Sequence, residues 1–231
     1  MLMILATRQD ETAAWLANRW QPHGAVVVSA ADLSMSGWSL DLCSPAKSSA
    51  CIGGRKVTNQ NIDGVLTRMP CVHEQELNHI VPLDRQYVAS EMTAFLLAWL
   101  SSLACPVLNR PTPDSLGGPG WRREGWVHLA NRLGIPVAAV RRNAANRKND
   151  AEDQTTCEVI VVGDQCFGEA APPLIENARM LAKAAGTGLL TVHFSGAAAD
   201  SVFVSASPWP NLASPMIADA VLRCLHGRSA C

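Results

Sequence analysis

Alternation constrains this chain most. Short apolar, β-branched runs take turns with segments whose apolar residues recur at helical spacing. Residues 1–7 are apolar, Asp10-Glu11-Thr12 supplies helix-capping chemistry, and Ala13, Leu16, Ala17 and Trp20 then repeat at helical spacing. Gly24 ends that helix, and residues 25–29 read as a buried strand. The same grammar predicts a strand over 62–68 and a helix from Asp84 to about Ala104, with Tyr87, Glu91, Phe95 and Trp99 four apart on one stripe. A strand at 106–111 closed by proline, a helix over 121–133 and a strand over 135–140 follow. Strands that alternate with helices in this way predict an α/β fold.

The second half repeats the pattern after an interruption. Residues 141–153 are basic, then acidic, with alanine their only apolar residue, and read as a polar linker. Beyond it lie a strand over 157–162, a turn at Gly163-Asp164, a helix near 173–185, a hairpin of strands 188–195 and 201–206, and a last helix over 215–225. Residues 30–60 carry no clear period and read as irregular.

Composition narrows the class. With 231 residues, 48% hydrophobic and 17% charged, the chain is globular and long enough for one larger domain or two small ones. A net charge of −1 gives no electrostatic reason to expect nucleic acid or an anionic membrane as partner. No run approaches the roughly 20 apolar residues of a membrane span, and the N-terminus lacks a basic n-region, so the expectation is a cytoplasmic protein. Eight cysteines show no Cys-x-x-Cys spacing, and they read as plain thiols. Cys224, His226 and Cys231 could form part of a metal site, at a spacing that is not specific.

Several short pieces, in consistent order, resemble one family. These are Gly64-Val-Leu-Thr-Arg68-Met-Pro70, Tyr87 with Glu91, Val107-Leu-Asn109-Arg-Pro111, Leu133-Gly-Ile-Pro136 and Glu158-Val-Ile-Val-Val-Gly-Asp-Gln-Cys-Phe167. Together they are similar to the peptide-modifying ATP-grasp ligases, relatives of glutathione synthetase and of ribosomal-protein glutamate ligase. The resemblance implies an N-terminal open α/β domain (residues 1–110) and an ATP-grasp-like C-terminal half (residues 111–231) containing the 141–153 linker. It also implies that Arg68, Tyr87 and Glu91 shape the cleft that takes the acceptor, with Asn109 at a strand end beside it.

Three departures stand against the family's chemistry. The lid subdomain that covers the nucleotide has no counterpart, because only the polar linker fills its interval. Arg122-Arg123-Glu124 replaces a lysine expected early in the following helix. The positions that in the family hold an Asp and a Glu-x-Asn, the ligands of magnesium on ATP, here hold His193, Ser205 and Ser207. Serine hydroxyls carry no charge to neutralise a magnesium–phosphate cluster. The expectation is a reduced ATP-grasp-like chain that binds a peptide or protein partner, uses no cofactor and forms homo- or hetero-oligomers. The alternative is an ATP- and magnesium-dependent carboxylate-amine ligase with atypical metal ligands.

Other features keep two readings each. Residues 112–120, rich in proline and glycine and followed by Arg122 and Arg123, are either an anion cradle or a plain loop. Trp121 and Trp126 beside those arginines are either an exposed recognition face or a core-facing stripe. Trp209, held between Pro208 and Pro210, either caps the core edge or projects as a rigid contact. Arg68 is either a cleft residue or half of an internal ion pair with Glu91. His73 and His79 flank Glu74 and Glu76 without the His-Glu-x-x-His spacing of a metalloprotease.

Overall fold

The computed structural model describes residues 1–138 and 157–227. The linker expected at 141–153, the end of the strand expected at 135–140, and Cys231 lie outside the described residues. Strand β1 (Leu2–Leu5) leads through Asp10 into helix α1 (Glu11–Arg19) and strand β2 (Ala25–Val28). Asp10 caps α1 as expected, accepting a hydrogen bond from the Ala13 amide at 2.9 Å. A short helix α2 (Ala30–Leu33) follows, and then a hairpin of β3 (Ser49–Ile52) and β4 (Arg55–Thr58). This hairpin falls in the stretch that reads as irregular. Gly53 and Gly54 make its turn at positive φ, a conformation that costs glycine little. Strand β5 (Gly64–Thr67), helix α3 (Arg85–Ser102) and strand β6 (Val107–Leu108) complete this half.

The parallel sheet runs β2-β1-β5-β6. Residues alternate across it, so Met3, Leu5 and Val65 join Leu96, Trp99 and Leu100 of α3 in one buried cluster. The Tyr87–Trp99 stripe does not stay on one side of α3. Each four-residue step overshoots a full helical turn by about 40°. Tyr87 and Glu91 are therefore exposed, Phe95 is half-buried, and Trp99 is buried, its indole N–H donating to Asn59 Oδ1 at 3.1 Å.

Helix α4 (Arg123–Arg132) opens the next stretch, followed by β7 (Cys157–Val162), β8 (Gln165–Phe167), α5 (Pro172–Ala185), β9 (Leu189–Phe194) and β10 (Phe203–Ser207). These strands form an antiparallel sheet, β10-β9-β7-β8. Val159, Val161, Leu190, Val192, Phe194 and Ala206 pack with Trp126 of α4 and Leu174, Ala178 and Leu181 of α5. Trp126 therefore takes the core-facing reading, while Trp121 stays 41% exposed with its ring 4.9 Å from that of Trp126. The last helix, α6 (Pro215–Leu225), has the predicted bounds.

Two compact units result, Met1–Gly120 with Asn211–Cys231, and Trp121–Pro210. This differs from the sequence division at residue 110 in two places, each with a local cause. Residues 112–120 fold back on the first unit, where the Leu116 amide donates to Pro70 O at 2.8 Å and Thr112 Oγ1 to Gly118 O at 3.1 Å. Helix α6 lies against β5 at Gly64, where a Cβ would stand 2.6 Å from Leu225 O, and Asp219 of α6 holds Arg19 of α1 at 2.8 Å. No helix among the described residues is long and apolar enough to cross a membrane.

Candidate functional site

The antiparallel sheet of the second unit carries the positions where the sequence places degenerate metal ligands. A β-bulge decides which way they face. Phe203 pairs with Phe194, yet Ser205 already pairs with His193, so Val204 is an extra residue on β10. Without that residue, Ser205 and Ser207 would share the core-facing side of Phe203. With it, Ala206 turns to the core opposite Val192, and Ser205 and Ser207 stand opposite His193 and Thr191. The carbonyl displaced at the bulge has a partner, because Arg123 Nε donates to Val204 O at 3.0 Å.

The row extends onto the neighbouring strand. Glu158 on β7 pairs in register with His193 and accepts a hydrogen bond from Thr191 Oγ1 at 2.7 Å. Glu158, Thr191, His193, Ser205 and Ser207 thus share one polar face. Sequence reading missed Glu158 and Thr191, because their place beside His193 depends on strand register, which linear spacing does not reveal. The donor set does not fit magnesium. That ion takes hard oxygen ligands, usually with carboxylates, whereas this row offers one carboxylate already engaged by a threonine, one imidazole and neutral hydroxyls. Among the described residues no group of three or more His, Cys, Asp or Glu could hold a metal ion.

The residues expected around an acceptor cleft are not brought together. Arg68 pairs with Asp10, Nε to Oδ2 at 2.7 Å and Nη2 to Oδ1 at 3.2 Å, so the internal-pair reading holds with a different acid from Glu91. It ties the end of β5 to the N-cap of α1. Tyr87 and Glu91 project from α3, and neither lines the cleft of about 600 Å3 beside that helix, which Cys71, His73, Glu74, Ala89 and Thr93 help to form. Asn109 is buried, its Nδ2 donating to Gly117 O at 3.4 Å, so it pins the glycine-rich loop. The loop itself is packed, with Ser115 through Pro119 buried and the Gly117 amide donating to Ser115 Oγ. The Thr112, Ser115, Leu116 and Gly117 amides are spent within the protein, which favours the plain-loop reading. Arg122 is exposed as the N-cap of α4, Arg123 is held by Val204, and Trp209 is half-buried with its amide on Ser207 Oγ at 3.2 Å.

The thiols have a similar account. None of the seven cysteines of the described residues forms a disulfide, and burial pushes the Cys105, Cys157 and Cys166 thiols up from their ordinary range. Such thiols stay protonated and unreactive near neutral pH.

No protein-family model and no curated protein matches the sequence. Solved structures do match. The macrocyclase MdnC from Microcystis aeruginosa, bound with precursor peptide MdnA, aligns with a TM-score of 0.69 at 11% identity, over 98% of this chain and 100% of that one. The ATP-grasp ligase PsnB complexed with a minimal precursor gives 0.65 at 10% identity, over 96% and 98%. A RiPP-associated ATP-grasp ligase from Chryseobacterium gregarium, in complex with ADP and a leader and core peptide, gives 0.65 at 8%, over 99% and 97%. Likeness at these identities concerns the fold, and the fold is that of the ATP-grasp ligases.

Proposed function

We propose that this chain, built on the ATP-grasp ligase fold, is a non-catalytic binding or assembly subunit that holds a peptide, or the protein partner of a peptide-modifying pathway. One observation carries the reading. The row on β9 and β10, turned to one face by the bulge, offers His193, Ser205 and Ser207, a set without the charge to hold magnesium on a nucleotide. The polar linker read in the sequence at 141–153 is also short for a lid subdomain, which would be on the order of a small domain. In this reading neither ATP nor magnesium is required.

A peptide partner is supported by the company the fold keeps, since MdnC and the Chryseobacterium ligase are both described with peptides bound. Tyr87, Glu91 and Arg122 are exposed, and Trp209 is partly so, which leaves them available for contact. Arg68, Asn109 and Arg123 are engaged within their own units, by Asp10, by Gly117 and by Val204. Assembly is part of the proposal: Val81, Leu83 and Tyr87 are 62%, 93% and 69% exposed near the start of α3, an apolar surface suited to another chain.

The rival reading, a ligase with atypical ligands, has one observation in its favour, the Glu158 carboxylate beside His193. The discriminating experiment is native mass spectrometry of the untagged protein from its own cells. A bound peptide or second polypeptide, lost on Tyr87→Ala, supports the binding subunit. A bare monomer that turns over ATP with a peptide acceptor contradicts it.

A further inference from the structure

The seven described thiols are not equivalent. Cys51 and Cys224 are buried, and burial keeps Cys105, Cys157 and Cys166 protonated. Cys43 is exposed, with a hydrogen bond at its amide and, among the described residues, none at its sulfur. Cys71 differs from all of these. It is half-buried, and its Sγ lies 3.8 Å from His73 Nδ1, within hydrogen-bonding reach for sulfur. A thiol beside a base is the arrangement that lets sulfur act as a nucleophile near neutral pH.

The chain on either side of Cys71 is fixed. Met69 and Val72 are buried in the core of the first unit, the Pro70 carbonyl accepts from the Leu116 amide at 2.8 Å, and the Val72 amide donates to Thr93 Oγ1 at 3.0 Å. His73 is set by its place at the head of the single helical turn Glu74–Glu76. The Glu76 carboxylate stands close enough to attract the His73 charge, which favours the imidazolium that a proton from Cys71 would create. Cys71 and His73 both line the cleft of about 600 Å3 beside α3, a volume within the range of small-molecule sites. Gln75, Gln86 and Ser90 offer neutral donors and acceptors there, and Ala89 and Leu97 an apolar wall. The thiol and its base therefore face a space large enough to admit a reactant.

We propose that Cys71 is a modification site that exchanges with a low-molecular-weight disulfide, with His73 as its base. The Cys71 sulfur attacks one sulfur of the incoming disulfide while its proton passes to His73 Nδ1. The incoming S–S bond breaks, a mixed disulfide forms on Cys71, and the other half departs as a thiolate that takes up the proton. Cys71 is oxidised, the incoming disulfide is reduced to one thiol, and no further oxidant is needed. The adduct fills the cleft beside α3, its amide-bearing arm against Gln75, Gln86 and Ser90. The site lies wholly within the first unit and does not depend on the peptide-subunit reading, so either can fail alone.

Peptide-mapping mass spectrometry of the native, full-length protein, sampled over time with excess glutathione disulfide, tests the proposal. At about pH 7 Cys71 should gain the mixed disulfide about tenfold or more faster than the more exposed Cys43, and dithiothreitol should release it. His73→Gln should slow Cys71 about tenfold at that pH, with the difference closing toward about pH 9.5, where a thiol ionises unaided. A histidine that merely supports the loop would give no such closing. Circular dichroism confirms that the variant is folded, and the comparison of Cys71 with Cys43 in the wild type needs no variant at all. Equal rates at Cys71 and Cys43, no adduct on Cys71, or a folded His73→Gln protein with an unchanged rate at about pH 7 would each overturn it.

Discussion

Asp10 does two jobs, capping α1 through the Ala13 amide and accepting both hydrogen bonds from Arg68. Both partners of that ion pair are mostly buried, with side chains 17% and 14% exposed. Asp10→Ala removes the cap and leaves a guanidinium without its acid, so a loss of about 3 kcal/mol in urea unfolding is expected. Arg68→Met should cost less, because the cap survives. Glu76 gives a prediction of opposite sign. Its folded pKa is raised, so the stability it contributes is full below the unfolded value and is lost as pH rises through the folded one. Glu76→Gln, neutral throughout, should exceed the wild type in stability at about pH 7 and match it at about pH 4. Equal stability at both pH values would remove burial as the cause. The capping role of Asp10 is legible from its place before an apolar helical period. Its pairing with Arg68 is not, since 58 residues separate them and only the parallel register brings β1 and β5 side by side.

At the scale of elements, periodicity carries far and register does not. Helix α6 emerges with its predicted bounds because Ile217, Ala220, Val221 and Leu225 repeat at helical spacing over a run bounded by Pro215. The β3–β4 hairpin escapes the same method, since its four-residue strands are too short to show a period and only Gly53-Gly54 marks the turn. The bulge at Val204 is likewise silent in the sequence, where every second residue from Phe203 would share a face. Its clearest test is Arg123→Ala, which strips the partner from the Val204 carbonyl and should cost about 1–2 kcal/mol. The packing of α6 on β5 has a sharper test. Gly64→Ala places a methyl group 2.6 Å from Leu225 O, and backbone cannot yield as a side-chain tip would. A loss of about 2 kcal/mol is expected, with faster amide exchange in α6.

For the whole molecule, the sequence already carries the fold class and the family likeness, because both rest on the order of strands, helices and turn residues along the chain. The assignment of the last helix is different in kind. It closes on the first unit through Gly64 and Arg19, contacts between residues far apart in the chain. The polar row of the candidate site was legible where its residues sit at fixed spacing, as at Ser205 and Ser207, and hidden where strand register assembles it, as at Glu158 and Thr191. Size-exclusion chromatography with light scattering should find a dimer or larger assembly, shifted toward monomer by Leu83→Glu on the exposed apolar surface.

The central claim is that an ATP-grasp scaffold persists here without the chemistry of a ligase. Isothermal titration calorimetry of the purified protein with ATP, with and without magnesium, followed by an assay for phosphate release in the presence of peptide, tests it most directly. The account predicts no magnesium-dependent binding and no release above background. Saturable magnesium-dependent binding coupled to phosphate release, lost on Glu158→Gln or His193→Ala, would contradict it.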